Sequence, residues 1–332
     1  MKKTLLILLT FFFAVTIFAD NLDAAKEAKN QPKATGLKKD GIKPFLGVTA
    51  NGTMNNNSSV IGQTDGTTFI FGVSLNGSLD VLQGNNEIGL TLELNEQFSR
   101  TPIIDRFIKS GDLLKIDAGY LYHISKTWGP FASALMKTAI LDGYDERVTD
   151  VTYSLDGRTE DGDRIKLTSS FAPMLFKETF GLFYKPIDSK MVSLETKVGF
   201  GAIEVMADGN YVLADDAATK DLIELKTLES YNQAGASLYL KAKGGIDLAG
   251  QKLTYETYFD LLMPFIYDAP GKSSMDLTNM EYSLTISTKL FALLGIKYQL
   301  KMVKQPQLLD KWQVQNNIFL DLSYILIGTK KK

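Results

Sequence analysis

The chain of 332 residues carries 36 basic and 38 acidic side chains, one histidine and no cysteine. Near-neutral charge argues against a nucleic-acid partner, and the lack of cysteine excludes disulfides, thiolate catalysis and cysteine-ligated metals. Charged residues are as frequent as in an ordinary globular protein, so the residue pattern must separate a soluble domain from a membrane one.

Residues 1–19 read as a secretory signal peptide: Lys2 and Lys3, an apolar run from Leu5 to Val15, and Ala19 before Asp20. The apolar run is shorter than the 20 or so residues of a membrane helix, and no later window reaches that length. Residues 20–42 are rich in Lys, Ala and Asn without apolar periodicity, and are expected to form a flexible periplasmic leader or a plug. From residue 43 to 327 the dominant signal is a period of two, the mark of strands with one apolar and one polar face.

A first strand is expected from Lys43 to Gly52 and a second from Thr68 to Leu82, where Phe71, Val73, Leu75 and Leu79 alternate with Ser74, Asn76, Ser78 and Asp80. A turn at Gly84, Asn85 and Asn86 leads into a third, with Ile88, Leu90, Leu92 and Leu94 against Thr91, Glu93 and Asn95. The fourth sets Leu114, Ile116, Ala118 and Tyr120 against Lys115, Asp117 and His123. Further strands follow at Trp128–Ile140, Ala172–Lys185 and Met191–Val205, then around Ala234–Lys243 and Leu253–Phe265. A hairpin from Tyr282 to Met302 supplies two more, and Trp312–Leu326 is the last.

The sum is twelve, and an even count puts both termini on one side of a single-chain barrel. Odd connections are long and even ones are tight turns, the asymmetry of extracellular loops and periplasmic turns. The expected fold is therefore all-β: a closed antiparallel transmembrane β-barrel of about 12 strands in the outer membrane, with a polar tail at 328–332. A soluble sandwich also alternates, but these strands are longer than the usual five or six residues of globular strands. Aromatic residues also gather near strand ends, including Tyr120, Tyr122, Tyr184 and Tyr324 at one rim and Phe98, Phe265, Tyr282 and Trp312 at the other. Outer-membrane lipid and the barrel-assembly machinery are the partners such a fold implies.

Three features invite chemistry. His123 is the single histidine, expected at the periplasmic rim; no serine or threonine is identifiably paired with it, so no enzyme is expected. The acidic connection 141–171 holds Asp142, Asp145, Glu146, Asp150, Asp156, Glu160, Asp161 and Asp163. Its spacing does not fit a twelve-residue calcium loop, so it is expected to be a solvated surface loop without a metal or cofactor. The stretch Asp215–Glu229, with Leu222, Ile223, Leu225 and Leu228, reads as a short amphipathic helix over the mouth.

The inward set mixes Glu93, Glu256 and Asp260 with Lys241, Lys243, Lys297 and Lys301. Its basic bias leads to the expectation of a passive channel for small polar, anionic solutes with those four lysines as selectivity groups. The alternative is a non-conducting structural or adhesion barrel whose long loops bind a surface partner.

The segments "VSLNGSLDVLQGNNEIGLTLEL", "LLKIDAGYLYHISKTWGPFASALM", "SFAPMLFKETFGLFYKP" and "LYLKAKGGIDLAGQKLTYETYFDLL" resemble a family of uncharacterised outer-membrane barrels found mainly in Bacteroidota. The resemblance implies an outer-membrane barrel and brings no catalytic residues. The chain departs from it at "YILIGTKKK", which replaces the terminal aromatic usually presented to the assembly machinery; Tyr324 is the nearest substitute.

Overall fold

The computed structural model describes residues 40–58, 66–99, 106–214, 222–248, 251–291 and 294–327. The expected signal peptide, residues 20–39 of the leader and the tail at 328–332 lie outside the described residues.

Twelve strands close into one antiparallel barrel. In chain order they are β1 (Gly41–Ser58), β2 (Gly66–Gln83), β3 (Asn86–Ser99), β4 (Ile108–Tyr122), β5 (Trp128–Thr138), β8 (Met174–Asp188), β9 (Ser193–Met206), β12 (Tyr231–Leu248), β13 (Gln251–Tyr267), β14 (Asn279–Lys289), β15 (Leu294–Gln305) and β16 (Leu309–Ile327). Four further strands, β6 (Gly143–Leu155), β7 (Arg158–Thr168), β10 (Tyr211–Leu213) and β11 (Leu222–Thr227), form a separate sheet in the order β10-β11-β6-β7. The barrel closes where β1 pairs with β16, from Leu46↔Ile327 to Ser58↔Val314, leaving no free edge.

Alternation sorts the side chains to two environments. Phe71, Val73, Leu79, Ile88, Leu90, Phe180, Leu182, Val198, Phe200, Phe265, Ile318 and Leu320 are exposed on the outer wall. Tyr120, Tyr184, Trp128 and Trp312 sit near strand ends of the same wall. A closed, even-stranded antiparallel barrel with an apolar outer band and aromatic ends is of the outer-membrane type, because a bilayer tolerates neither free edges nor unpaired backbone. Glu178 and Glu204 depart from the pattern, being exposed on the outer wall among Ala134 and Ala202. Glu178 lies in the first few residues of β8 and Glu204 in the last few of β9, both beside the long connections, where a lipid-facing charge is cheapest.

The twelve expected barrel strands are all present, and most run further than their alternation does. β1 continues through the asparagines to Ser58, and β15 and β16 extend until only Pro306–Leu308 separate them, so this last odd connection, expected to be long like the others, is a three-residue turn. Backbone ladders need only N–H and C=O groups, so they outlast the apolar pattern.

Two expectations for the long connections are corrected. The acidic stretch 141–171 is not an irregular loop but the hairpin β6–β7, turned at Asp156 and Gly157 with both φ values positive, 48° and 78°. That is the geometry of a type I′ turn, which suits the twist of a hairpin. The expected helix at Asp215–Glu229 is a strand where it is described: β11 pairs in parallel with β6, Ile223 opposite Tyr153, and antiparallel with β10. Residues 215–221 lie outside the described residues. Ile223 and Leu225, two residues apart, place their side chains on one face with Tyr153 and Leu167, so the pattern has the strand period.

Candidate functional site

The inner wall holds a cavity of about 250 Å³ lined from β1, β2, β3, β4, β5, β8, β9, β12, β13 and β14. Its titratable lining comprises eight carboxylates (Asp80, Glu87, Glu93, Asp117, Glu195, Glu256, Asp260, Glu281) and five lysines (Lys115, Lys137, Lys177, Lys197, Lys241). Strand alternation places them all inward, and tilted neighbouring strands bring opposite charges together.

Four of the five lysines are bridged. Lys137 Nζ lies 2.7 Å from Glu281 Oε2, Lys177 Nζ 2.5 Å from Asp260 Oδ1, Lys197 Nζ 3.0 Å from Glu195 Oε1, and Lys241 Nζ 2.9 Å from Glu256 Oε1. Lys137–Glu281 joins β5 to β14 and Lys177–Asp260 joins β8 to β13, strands that are not neighbours in the barrel, so both bridges reach across the lumen. Tyr258 donates to Glu281 Oε1 at 2.5 Å and stacks on Tyr239 at 5.9 Å between centroids. Lys197 also stands 5.4 Å from the rings of Phe131 and Tyr239, within cation–π range.

Of the residues singled out in the sequence, Glu93, Lys241, Glu256 and Asp260 line this cavity; Lys243, Lys297 and Lys301 do not. Lys297 instead lies 3.8 Å from Asp321 and 4.2 Å from the centre of the Phe319 ring. The lysines of the cavity wall are thus largely neutralised by partners. Asp80, Glu87, Glu281, Tyr239 and Tyr258 were not among the expected site residues. For Glu281 the signal was available, since extending the alternation of Ser283 and Thr285 back by one step reaches it.

His123, at the end of β4, accepts or donates a hydrogen bond with Glu87 Oε2 at 2.7 Å and packs edge-on against Phe183 at 5.1 Å. Glu87 lies also 3.7 Å from Lys185. No hydroxyl among the described residues bonds to the imidazole.

Toward the long connections the lumen changes character. Ile203 and Val205 of β9 and Leu262 of β13 continue the inward faces that begin with Glu195 and Glu256. They bury against Val212 of β10, Leu228 just after β11, and Leu308 and Leu309 at the β15–β16 turn, with Leu175 and Tyr231 packed alongside. Val205, Leu228 and Leu262 are each 1% exposed, so this cluster excludes water from that part of the mouth. On the opposite wall Asn51, Gln97, Ser99, Gln313 and Asn317 are buried as well. Asn51 donates to Ser74, and Ser74 and Gln97 both donate to Asn95.

The sheet β10-β11-β6-β7 has its own core of Tyr153, Leu167, Ile223 and Leu225. Its acidic residues are held by cations and hydroxyls. Asp145 accepts from Arg147 at 2.6 Å and from the Tyr153 hydroxyl at 2.9 Å, and Glu146 is bridged by Arg106 and, at 3.4 Å, by Arg164. Asp142 is held well below the ordinary aspartate range by its hydrogen bond from Lys166, then by the hydroxyl and N–H of Ser170. Burial, followed by the charge of Asp145, pushes the Tyr153 phenol up. Among the described residues no three acidic or histidine side chains gather to hold a metal ion.

No protein-family model matches the chain, and no curated protein matches it in sequence. Solved structures match in fold. The translocator domain of the autotransporter NalP from Neisseria meningitidis is 9% identical with a TM-score of 0.37, over 95% of this chain and 96% of that one. The NanC porin is 8% identical with a TM-score of 0.39, over 82% and 98%. An outer-membrane channel from Pseudomonas putida F1 is 10% identical with a TM-score of 0.37, over 89% and 99%. At these identities the likeness is one of fold.

Proposed function

We propose that the protein is an outer-membrane barrel whose resting lumen is closed to free diffusion, and that the β10-β11-β6-β7 sheet is its working surface, presented to a partner outside the cell. The observation that carries this reading is the apolar cluster of Ile203, Val205, Val212, Leu228, Leu262, Leu308 and Leu309 at the mouth. Water and ions do not cross a packed apolar layer, and a mouth closed by side chains leaves the folded sheet as the exposed feature. The bridged lysines support the same reading, since salt bridges across the lumen fill it. Lipid and the assembly machinery are its proposed membrane partners, and kinship with the uncharacterised barrels of Bacteroidota belongs to the same proposal. No catalytic step is assigned.

Planar-bilayer recording tests it. Protein whose insertion is verified by flotation with liposomes is expected to be electrically silent, and steady conductance from the unmodified chain would overturn the closed state. A second reading is favoured by the cavity beneath the cluster. In it the barrel passes a small polar solute when Val212 and Leu228, which belong to the connection and not to the wall, withdraw. Conductance that appears only on adding a solute selects this reading over the first.

A further inference from the structure

We infer that the apolar seal at the mouth is metastable by construction: polar side chains packed along its edge lack hydrogen-bond partners while it is shut and regain them from water when it opens. The inference rests on the closed-barrel reading and adds to it how the closure is undone. The barrel wall gives the seal Ile203 and Val205 of β9 and Leu262 of β13. Each stands directly opposite a polar residue of the neighbouring strand. Gln233 of β12 is the cross-strand partner of Ile203, Tyr231 of β12 that of Val205, and Asn279 of β14 that of Leu262. Paired residues on adjacent strands project to one face with Cβ atoms about 5 Å apart, so all three polar side chains enter the lumen beside the apolar ones.

Gln233 is 3% exposed and Asn279 7%, and Tyr231 packs against the apolar cluster itself. Among the described residues the Gln233 amide has a partner at neither Nε2 nor Oε1, and the Tyr231 hydroxyl has none. Asn279 donates to the Leu277 carbonyl at 3.5 Å, a long bond, and its Oδ1 accepts nothing. Asn210, equally buried just before β10, shows what a settled amide does in the same region. Its Nδ2 donates to the Ala207 and Asp208 carbonyls, and its Oδ1 accepts from the Ser169 N–H.

A buried amide or hydroxyl without a partner has given up its bonds to water and regained nothing. That penalty falls on the shut state alone, since water reaches the same groups once the mouth opens. Val212 and Leu228 complete the seal from the connection between β9 and β12, and they can leave it without breaking a barrel ladder. Burial of their apolar surface and the unpaired groups therefore pull in opposite directions. A two-state element balanced in this way shifts under a small difference in affinity. A partner that binds the β10-β11-β6-β7 sheet modestly better in its withdrawn position opens the mouth, where a wholly apolar seal would demand a larger difference.

The chain has no cysteine, so a single introduced thiol reports opening on the full chain folded in detergent. Val212→Cys places it in the seal, and the rate of its labelling by a charged maleimide reads the open population. In that background Gln233→Met, which keeps the side-chain length and removes the amide, should slow labelling at least about tenfold, and Tyr231→Phe should slow it in the same direction. A residue that merely supports the mouth would speed labelling when replaced. Unchanged or faster labelling in Gln233→Met overturns the inference, and Tyr231→Phe decides in its place if Gln233→Met loses the fast-migrating folded band on unheated gels. Ile223→Cys, in the separate core of the sheet, should label more slowly than Val212→Cys, because withdrawal leaves that core intact. Equal rates would mean that the sheet unfolds instead of withdrawing, and would also overturn the inference. Conductance reports on the closed state separately: a steadily conducting unmodified barrel loses the reading beneath this one, and a silent barrel whose variants label no more slowly loses the metastable seal alone.

Discussion

Leu228→Ala is the most direct probe of the closed mouth. Leu228 follows β11, is 1% exposed, and packs with Ile203 and Val205 of the wall, Val212 of the β10-β11-β6-β7 sheet, the cap, and Leu308 of the β15–β16 turn. Its backbone N–H bonds to the Asn210 carbonyl at 2.8 Å, a contact that alanine keeps, so the substitution removes side-chain packing alone. Truncating a fully buried leucine costs about 3 kcal/mol when its site collapses partially. If that falls on the docking of the cap, the undocked population rises about a hundredfold. Lys226 and Arg158 are exposed on β11 and β7, so trypsin should cut the cap of the variant markedly faster, and bilayers should show openings absent from the parent. The outward-facing Leu240→Ala is the control for general weakening of the barrel. A folded Leu228→Ala protein with the parent's cleavage rate and a silent bilayer would refute the idea that this cluster holds the mouth shut.

Three other outcomes follow from the structure. Gly181 and Gly199 face each other on β8 and β9, and a Cβ on Gly181 would overlap the Val198 carbonyl; Gly181→Val should abolish the folded band on unheated gels. Lys137→Met strands the buried Glu281 carboxylate and should lower unfolding stability in urea by about 3–5 kcal/mol, with much of the loss restored by adding Glu281→Gln. In the cap, Asp142 has a folded pKa depressed below its ordinary 3.8, so its contribution is complete above that pH and is lost as pH falls toward the lower folded value. Pepsin should therefore digest the cap faster as the pH drops below 3.8, and Asp142→Asn should flatten that dependence.

The barrel was legible because every one of its twelve strands faces two unlike media, and a period of two is the only pattern that serves both. Ser74, Asn76, Ser78 and Asp80 against Phe71, Val73, Leu75 and Leu79 need no tertiary information to be sorted. The cap was not read because its strands answer to a small private core. Leu222, Ile223, Leu225 and Leu228 fit a helical stripe as well as a strand, and only the partner strand β6, about seventy residues earlier, decides between them. The hairpin signal was in view in "SLDGRTE", where Asp156-Gly157 is the dipeptide a type I′ turn prefers, but eight acidic residues drew attention to charge. The lumen was read by residue type and not by partner. Which lysine meets which carboxylate depends on which strands lie opposite each other across the barrel, and that is not in the residue types.

The parallel ladder between β11 and β6 ties together two connections that emerge on either side of the β8–β9 hairpin. Neither can gain or lose residues at its base without unlatching the other. Insertions and deletions are therefore expected at the tips, at Asp156-Gly157 above all, while the bases must change in concert.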